Sequence, residues 1–428
     1  MNIVLLTNTF TPHVGGVARS VESFAEEYRK RGHRVMVVAP EFPDMPQEEV
    51  DVVRVPAIQN FNASDFSVAL PVPSRLAETL DDFRPDIVHA QHPFLLGMTA
   101  VRIARYRQLP LVFTHHTLYE QYTHYVPGDS PAMKRFVIEL ATRYANLCDQ
   151  VFAPSESIRD LLNERGVTTP IAVVPTGVRL ENFAHGDGAA FRAQQSIPQS
   201  AFVVGHLGRL APEKNLEFLA EAIAPFLKTA SDAHCLVIGT GPSEAAIREI
   251  FAREGLDARL HIAGTLQHQQ LADALHAMDV FAFASKSETQ GMVLTEAMAA
   301  GLPVVALDAS GVREVVKDRQ NGRLLREETI EAFSTALQWV AELSQQQMQA
   351  LTQSALDTAE AFSMPRSADK ALASYESLKP KSTADSGDSE SGWEDVITMI
   401  KTEWDIIKSV AGAGDAALDK SQLSGKEE

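Results

Sequence analysis

Two runs of short apolar segments, each alternating with amphipathic stretches, restrict the folds open to this chain more than any other feature. In the first run, residues 3–6 lead into Gly15-Gly16, an amphipathic stretch over 17–31 and a second apolar segment at 34–39. Further apolar segments fall at 86–90, 111–114, 150–153 and 171–174. The pattern restarts at 202–207 and continues at 234–238, 259–263, 280–284 and 303–307. Short apolar runs separated by segments of helical period read as buried strands joined by helices. That alternation predicts parallel sheets covered on both faces. Two such runs in about 360 residues predict an α/β chain of two doubly wound domains.

The domains are expected at 1–180 and 199–362, with the boundary in the polar, glycine-rich stretch 176–198. Beyond Gly322 the period is helical as far as Leu378, and Pro365 starts or bends the last helix. A Pro/Ser/Asp/Gly stretch at 379–392 reads as a flexible linker. Residues 393–428 read as an amphipathic helix carrying Trp393 and Trp404, followed by an acidic tail. From Lys381 onward there are eleven acids and five bases, a third of the chain's net charge of −18.

That negative charge argues against a nucleic-acid partner. No stretch approaches the roughly 18–20 uncharged apolar residues of a membrane span. The N-terminus enters a strand without a basic leader, so no signal peptide is expected. Cys148 and Cys235 lie far apart without metal spacing and read as buried thiols in a reducing compartment. Neither a metal nor another cofactor is expected: Asp-x-Asp is absent, and no His, Cys and carboxylate cluster has ligand spacing.

Several motifs fall where a strand passes into a helix. Ser285-Lys-Ser-Glu288-Thr-Gln290-Gly291-Met292-Val293-Leu-Thr-Glu296 follows an apolar strand and opens a helix. One carboxylate stands at the strand mouth and the other one or two turns into the helix. Backbone N–H groups lie between them, a natural place for a diphosphate. The spacing suits a nucleotide sugar. Gly208-Arg209-Leu-Ala-Pro-Glu-Lys214-Asn215 places two cations at a helix start, where acids are the rule, so an anion is expected there. Gly239-Thr-Gly241-Pro242 and Gly15-Gly16 are each either turn chemistry or a close approach to a ligand. His115-His116 end a strand; if extended they point to opposite faces, so one faces the cleft. Tyr119, Glu120, Tyr122, His124 and Tyr125 follow and suit an acceptor-binding loop. The helix over 132–144 has basic flanks, and Arg102, Arg105 and Arg107 form a second cluster. Both read either as core-packing helices with a solvated face or as a patch for anionic lipid.

In motif order over 1–378 the chain resembles retaining glycosyltransferases of family 4. The resemblance rests on the early Gly-Gly, Thr-His-His-Thr, Gly-Arg-Leu-x-Pro-Glu-Lys-Asn, Gly-x-Gly-Pro and the two glutamates eight apart. It implies a GT-B fold, two Rossmann-like domains facing a cleft, with the helix at 363–378 crossing back to the first. It implies Glu288 on the donor sugar, amides of Gly291, Met292 and Val293 on the diphosphate, and Glu296 on the ribose. Gln290, Gly241, Gly15 and Gly16 complete the expected donor contacts. Arg209 and Lys214 would stabilise the departing UDP, and His116 would lie near the transferred sugar. The stretch from His115 to Tyr125 is similar to that of bacterial diacylglycerol α-glucosyltransferases.

The expected activity is therefore transfer of a hexose, glucose from UDP-glucose, to a lipid such as diacylglycerol. The setting would be cytoplasmic, at the inner face of the cell membrane. The alternatives are transfer to a soluble sugar or polysaccharide precursor, a sugar-nucleotide epimerase of the same shape, and a non-catalytic nucleotide-sugar-binding protein. The segment 393–410 is expected to contact protein, its own or foreign, because its polar face is too acidic for anionic lipid.

Overall fold

The computed structural model describes residues 1–378 apart from 14, 44, 47–48, 59–67, 70–73, 122–129 and 287. The predicted linker at 379–392 and the helix and tail at 393–428 lie outside the described residues. The chain forms two units, Met1–Pro175 together with the described residues from Ser367 onward, and Thr176–Arg366.

The first unit contains β1 (Asn2–Leu6), β2 (Arg34–Pro40), β3 (Val52–Val55), the short antiparallel pair β4 (Ala57–Ile58) and β5 (Val68–Ala69), β6 (Ile87–Ala90), β7 (Leu111–Thr114), β8 (Gln150–Ala153) and β9 (Ile171–Val173). Its main sheet is parallel throughout, in the order β3-β2-β1-β6-β7-β8-β9. The second unit holds β10 (Val203–Leu207), β11 (His234–Ile238), β12 (Leu260–Ile262), β13 (Val280–Phe283), β14 (Val304–Leu307) and β15 (Gly322–Leu325). These are again parallel, in the order β12-β11-β10-β13-β14-β15. Both orders are those of the Rossmann fold. In β6, β7, β13 and β14 every residue is buried, which is why these strands read as unbroken apolar runs rather than alternating ones.

The structure corrects the sequence reading in places. Residues 176–198, read as a polar connector, belong to the second unit. Gly188–Gln194 is a helix, capped by the Asp187 side chain accepting from Ala190 N–H. Phe191 is buried, a contribution of about 1.5–3 kcal/mol. Arg192 is buried too, and its guanidinium donates to the carbonyls of Ala277, Gln199 and Ala201 and to Asp279. A seven-residue helix whose anchor is a buried arginine gives no hydrophobic period to read.

β15 was read as the start of a helical region. It is an edge strand on β14, with only two of its four residues fully buried. β3 escaped notice for the same reason. The last helix, Met364–Ser377, has Pro365 in its first turn, where the missing N–H costs nothing. The basic cluster on and just after the helix Leu96–Tyr106 is partly engaged within the protein: Arg105 donates to the Leu147 carbonyl at 3.0 Å, and Arg107 pairs with Asp81 at 2.7 Å.

Candidate active site

In the second sheet the strand order turns between β10 and β13, and the loops after these strands form the crevice where such sheets hold ligands. After β10 the chain passes Gly208 and Arg209, makes a 3-10 turn at Pro212–Lys214, and reaches Asn215 in the left-handed region at φ 56°. Asparagine tolerates that conformation better than most side chains. Its Nδ2 donates to Glu328 at 2.8 Å and to the Ala284 carbonyl at 3.3 Å, which ties the turn to the end of β13. The turn aims Lys214 across the crevice. Its Nζ donates to Glu288 Oε1 at 2.5 Å, with both side chains largely buried. Arg209 lies on the same loop, half-exposed, with its guanidinium held by Glu213.

The helix Met292–Ala299 begins at Gly291, which sits at φ 73°. A Cβ there would be strained by the backbone and would lie 2.9 Å from Leu294 Cδ1, and glycine leaves the first turn without a capping side chain. The amides of Met292 and Val293 stand at that turn. Glu296, one turn further, is 6% exposed.

Gln290 plays a different part from the one expected of it. Its side-chain oxygen accepts from the Thr176 N–H at 2.7 Å and its nitrogen donates to the Thr176 carbonyl at 2.5 Å. The side-chain amide is thus committed to the backbone that opens the second unit. Gly241 has a structural reason to be glycine, since a Cβ would lie 2.3 Å from the Leu210 carbonyl oxygen. Leu210 N–H donates to Thr240 O there, and Ser243 N–H to Leu210 O.

Sequence reasoning missed His206 on β10. It is buried, stacks on Phe281 and Phe283, and donates from Nδ1 to the Ala282 carbonyl at 3.0 Å. Burial lowers its pKa to about 4. Only its place two residues before Gly208 could have signalled it.

In the first unit the order turns between β1 and β6, and the loops after β1, β6 and β7 carry the candidate residues. Gly15 caps the helix Gly16–Lys30 in an extended conformation. A Cβ on Gly16 would meet nothing within 4 Å, so among the described residues no packing demands glycine there. His115 is buried against Phe113 and Tyr119. His116 is half-buried, with Nε2 2.7 Å from Gln91 Oε1. An amide oxygen only accepts, so Nε2 carries the proton of the neutral ring. Gln91 has no motif around it and was not legible. Tyr119 packs edge-on against Phe94, and its hydroxyl has no partner among the described residues. Glu120 is paired with Arg165 at 2.6 Å, which occupies a carboxylate expected to face the acceptor. Tyr122, His124 and Tyr125 lie outside the described residues.

Burial lowers the pKa of His89 and of His92 to about 3 and that of His115 to about 4. His116 is also held well below the ordinary histidine value, by burial first and then by these three neighbours. The folded rings stay neutral while the unfolded rings take up protons below pH about 6.5, so stability falls as the pH drops from there. His89, His92 and His115 together should remove roughly 5 kcal/mol between pH 6.5 and pH 5. Urea unfolding followed at pH 7.5 and pH 5 should show the first transition moving to lower denaturant, before most carboxylates titrate.

Two Rossmann-like units, the second with an ammonium–carboxylate pair at its switch point beside a glycine-started helix, are what the GT-B fold requires. Residues 14–182 match the description Glycosyltransferase Family 4, and residues 187–356 match Glycosyl transferases group 1. The alpha-monoglucosyldiacylglycerol synthase of Streptococcus pneumoniae is 30% identical over 330 residues, 76% of this chain and 75% of the relative. The GDP-mannose-dependent alpha-mannosyltransferase of Corynebacterium glutamicum is 28% identical over 350 residues, 79% of this chain and 80% of its own. Anabaena HepE in complex with UDP-glucose shares the fold, with a TM-score of 0.69 at 22% identity, over 88% of this chain and 100% of that one. The chain belongs to glycosyltransferase family 4.

Proposed function

We propose that the chain is a retaining glucosyltransferase that moves glucose from UDP-glucose onto diacylglycerol at a membrane surface. The observation that carries the donor half is the Lys214–Glu288 pair at the switch point of the second sheet, next to the glycine-started helix. The similarity to the pneumococcal alpha-monoglucosyldiacylglycerol synthase supports the sugar and the lipid. Among the described residues no helix is long and apolar enough to cross a membrane, which fits an enzyme bound at the surface.

In this reading Glu288 accepts from donor sugar hydroxyls, and the amides of Gly291, Met292 and Val293 hold the diphosphate. Glu296 holds the ribose, and Arg209 and Lys214 carry the phosphate charge. The bond between the anomeric carbon and the phosphate oxygen breaks and UDP departs. The acceptor oxygen bonds that carbon on the same face, and its proton passes to the leaving phosphate. Negative charge grows on that phosphate, so a fixed ammonium beside it lowers the barrier. His116 lies near the transferred sugar as a neutral ring.

The mannosyltransferase relative favours one rival, a mannosyl donor. UDP-glucose, UDP-galactose and GDP-mannose, each incubated with diacylglycerol-containing liposomes, should yield a hexosyl lipid by mass only from UDP-glucose. A product only from GDP-mannose would establish the rival. Turnover only on a soluble sugar, or isomerisation of the nucleotide sugar with no acceptor present, would defeat the lipid assignment.

A further inference from the structure

Tyr375 lies on the helix Met364–Ser377, in the part of the chain that belongs to the first unit. It is fully buried. Its ring stacks on Phe152 at 5.7 Å and meets Tyr28 and His89 edge-on, each at 5.8 Å. Its hydroxyl lies 2.6 Å from His89 Nδ1 and 3.3 Å from the Tyr28 hydroxyl. The other nitrogen of His89, Nε2, lies 2.7 Å from Thr114 Oγ1.

His89 and Thr114 stand on the neighbouring strands β6 and β7. Two residues after His89 and Thr114, just past the strand ends, are Gln91 and His116, themselves joined at 2.7 Å. The ladder hydrogen bonds continue past both ends, Gln91 N–H donating to Leu6 O and His115 N–H to Phe152 O, and side chains two apart on such backbone share a face. The two strand ends thus carry two rungs, His89–Thr114 and Gln91–His116, and Tyr375 fastens the inner one. A neutral imidazole has one N–H and one lone pair, so the first rung holds only if both neighbours supply matching partners.

We infer that Tyr375 is a positioning residue for His116. It fixes the His89–Thr114 rung and so the spacing at which Gln91 holds the His116 ring. The function of His116 rests on the proposed glycosyl transfer, but the mechanical link does not. The helix at the end of the described chain thereby sets the geometry of a site residue about 260 positions earlier in sequence, the kind of remote misplacement that lowers rate without touching chemistry.

Tyr375→Phe keeps the ring and removes one oxygen. The transfer kcat should fall about tenfold, while UDP affinity and the donor KM stay within about twofold. The ring ¹⁵N resonances of His116 should shift. Tyr28→Phe, which removes only the 3.3 Å contact in the same aromatic nest, should leave kcat within about twofold of wild type. Should Tyr375→Phe fail to fold, Thr114→Val breaks the same rung from the other side and should give the same kinetic and spectral signature. Unmoved His116 resonances would overturn the inference, as would equal kcat losses in Tyr28→Phe and Tyr375→Phe. Absence of UDP binding and transfer in the wild-type protein would overturn the glycosyltransferase reading alone, because the resonance comparison requires no turnover.

Discussion

Lys214→Ala should lower kcat/KM for transfer about a thousandfold, roughly 4 kcal/mol of transition-state stabilisation. The lysine sits in the second unit where the loops after β10 and β13 meet, the 3-10 turn at Pro212–Lys214 fixes its direction, and Glu288 accepts from its Nζ at 2.5 Å. Two effects could produce such a loss. Lys214 could offset charge growing on the departing phosphate, or it could serve only as counter-ion to a largely buried carboxylate. The double variant Lys214→Ala, Glu288→Gln separates them. If Lys214 acts on the phosphate, neutralising Glu288 restores nothing and the double variant is no faster than Lys214→Ala. If it is only a counter-ion, removing the carboxylate charge recovers most of the rate. Arginine at 214 should recover part of the activity, since it keeps the charge and changes its geometry. Steady-state kinetics over a range of UDP-glucose, with UDP affinity by calorimetry, measure both arms. The same substitution should weaken UDP binding.

His116→Ala should give the opposite split. Transfer should fall about a hundredfold while UDP affinity stays within about twofold, because His116 belongs to the first unit and the proposed phosphate and ribose contacts Arg209, Lys214, Met292, Val293 and Glu296 to the second. Gln91→Leu should show a milder form of the same loss, since it removes the acceptor that fixes the Nε2–H form. Full transfer activity in His116→Ala would remove the ring from the site. A matching loss of UDP affinity would mean that the substitution disturbs far more than one side chain.

Much of the candidate site is legible because its residues sit in loops at the ends of buried parallel strands. Each strand shows as an apolar run, so Gly208–Lys214 and Ser285–Glu296 announce themselves by where they fall. The spacing of Glu288 and Glu296 across Gly291 predicted a helix start between them, and Met292–Ala299 is that helix. What could not be read was pairing between distant segments. Nothing near Gln91 points to His116, nothing near Tyr375 points to His89, and nothing near Gln290 points to Thr176, yet all are joined by hydrogen bonds. Glu120 looked available to an acceptor because its partner, Arg165, lies 45 residues away. The short edge strands β3 and β15 were lost for another reason. Each is a half-exposed four-residue edge segment with an arginine inside it, so neither reads as an unbroken apolar run.

The product of the reaction is the most direct test of the proposed transfer. Purified full-length protein should be incubated with UDP-glucose and liposomes containing diacylglycerol, and the extracted lipid examined by mass and by proton NMR of its anomeric centre. The expected product is a monoglucosyl diacylglycerol in the α configuration, the configuration of the donor, formed together with UDP. A β-linked product would contradict retention. No glycolipid in the presence of bound UDP-glucose would contradict the lipid acceptor.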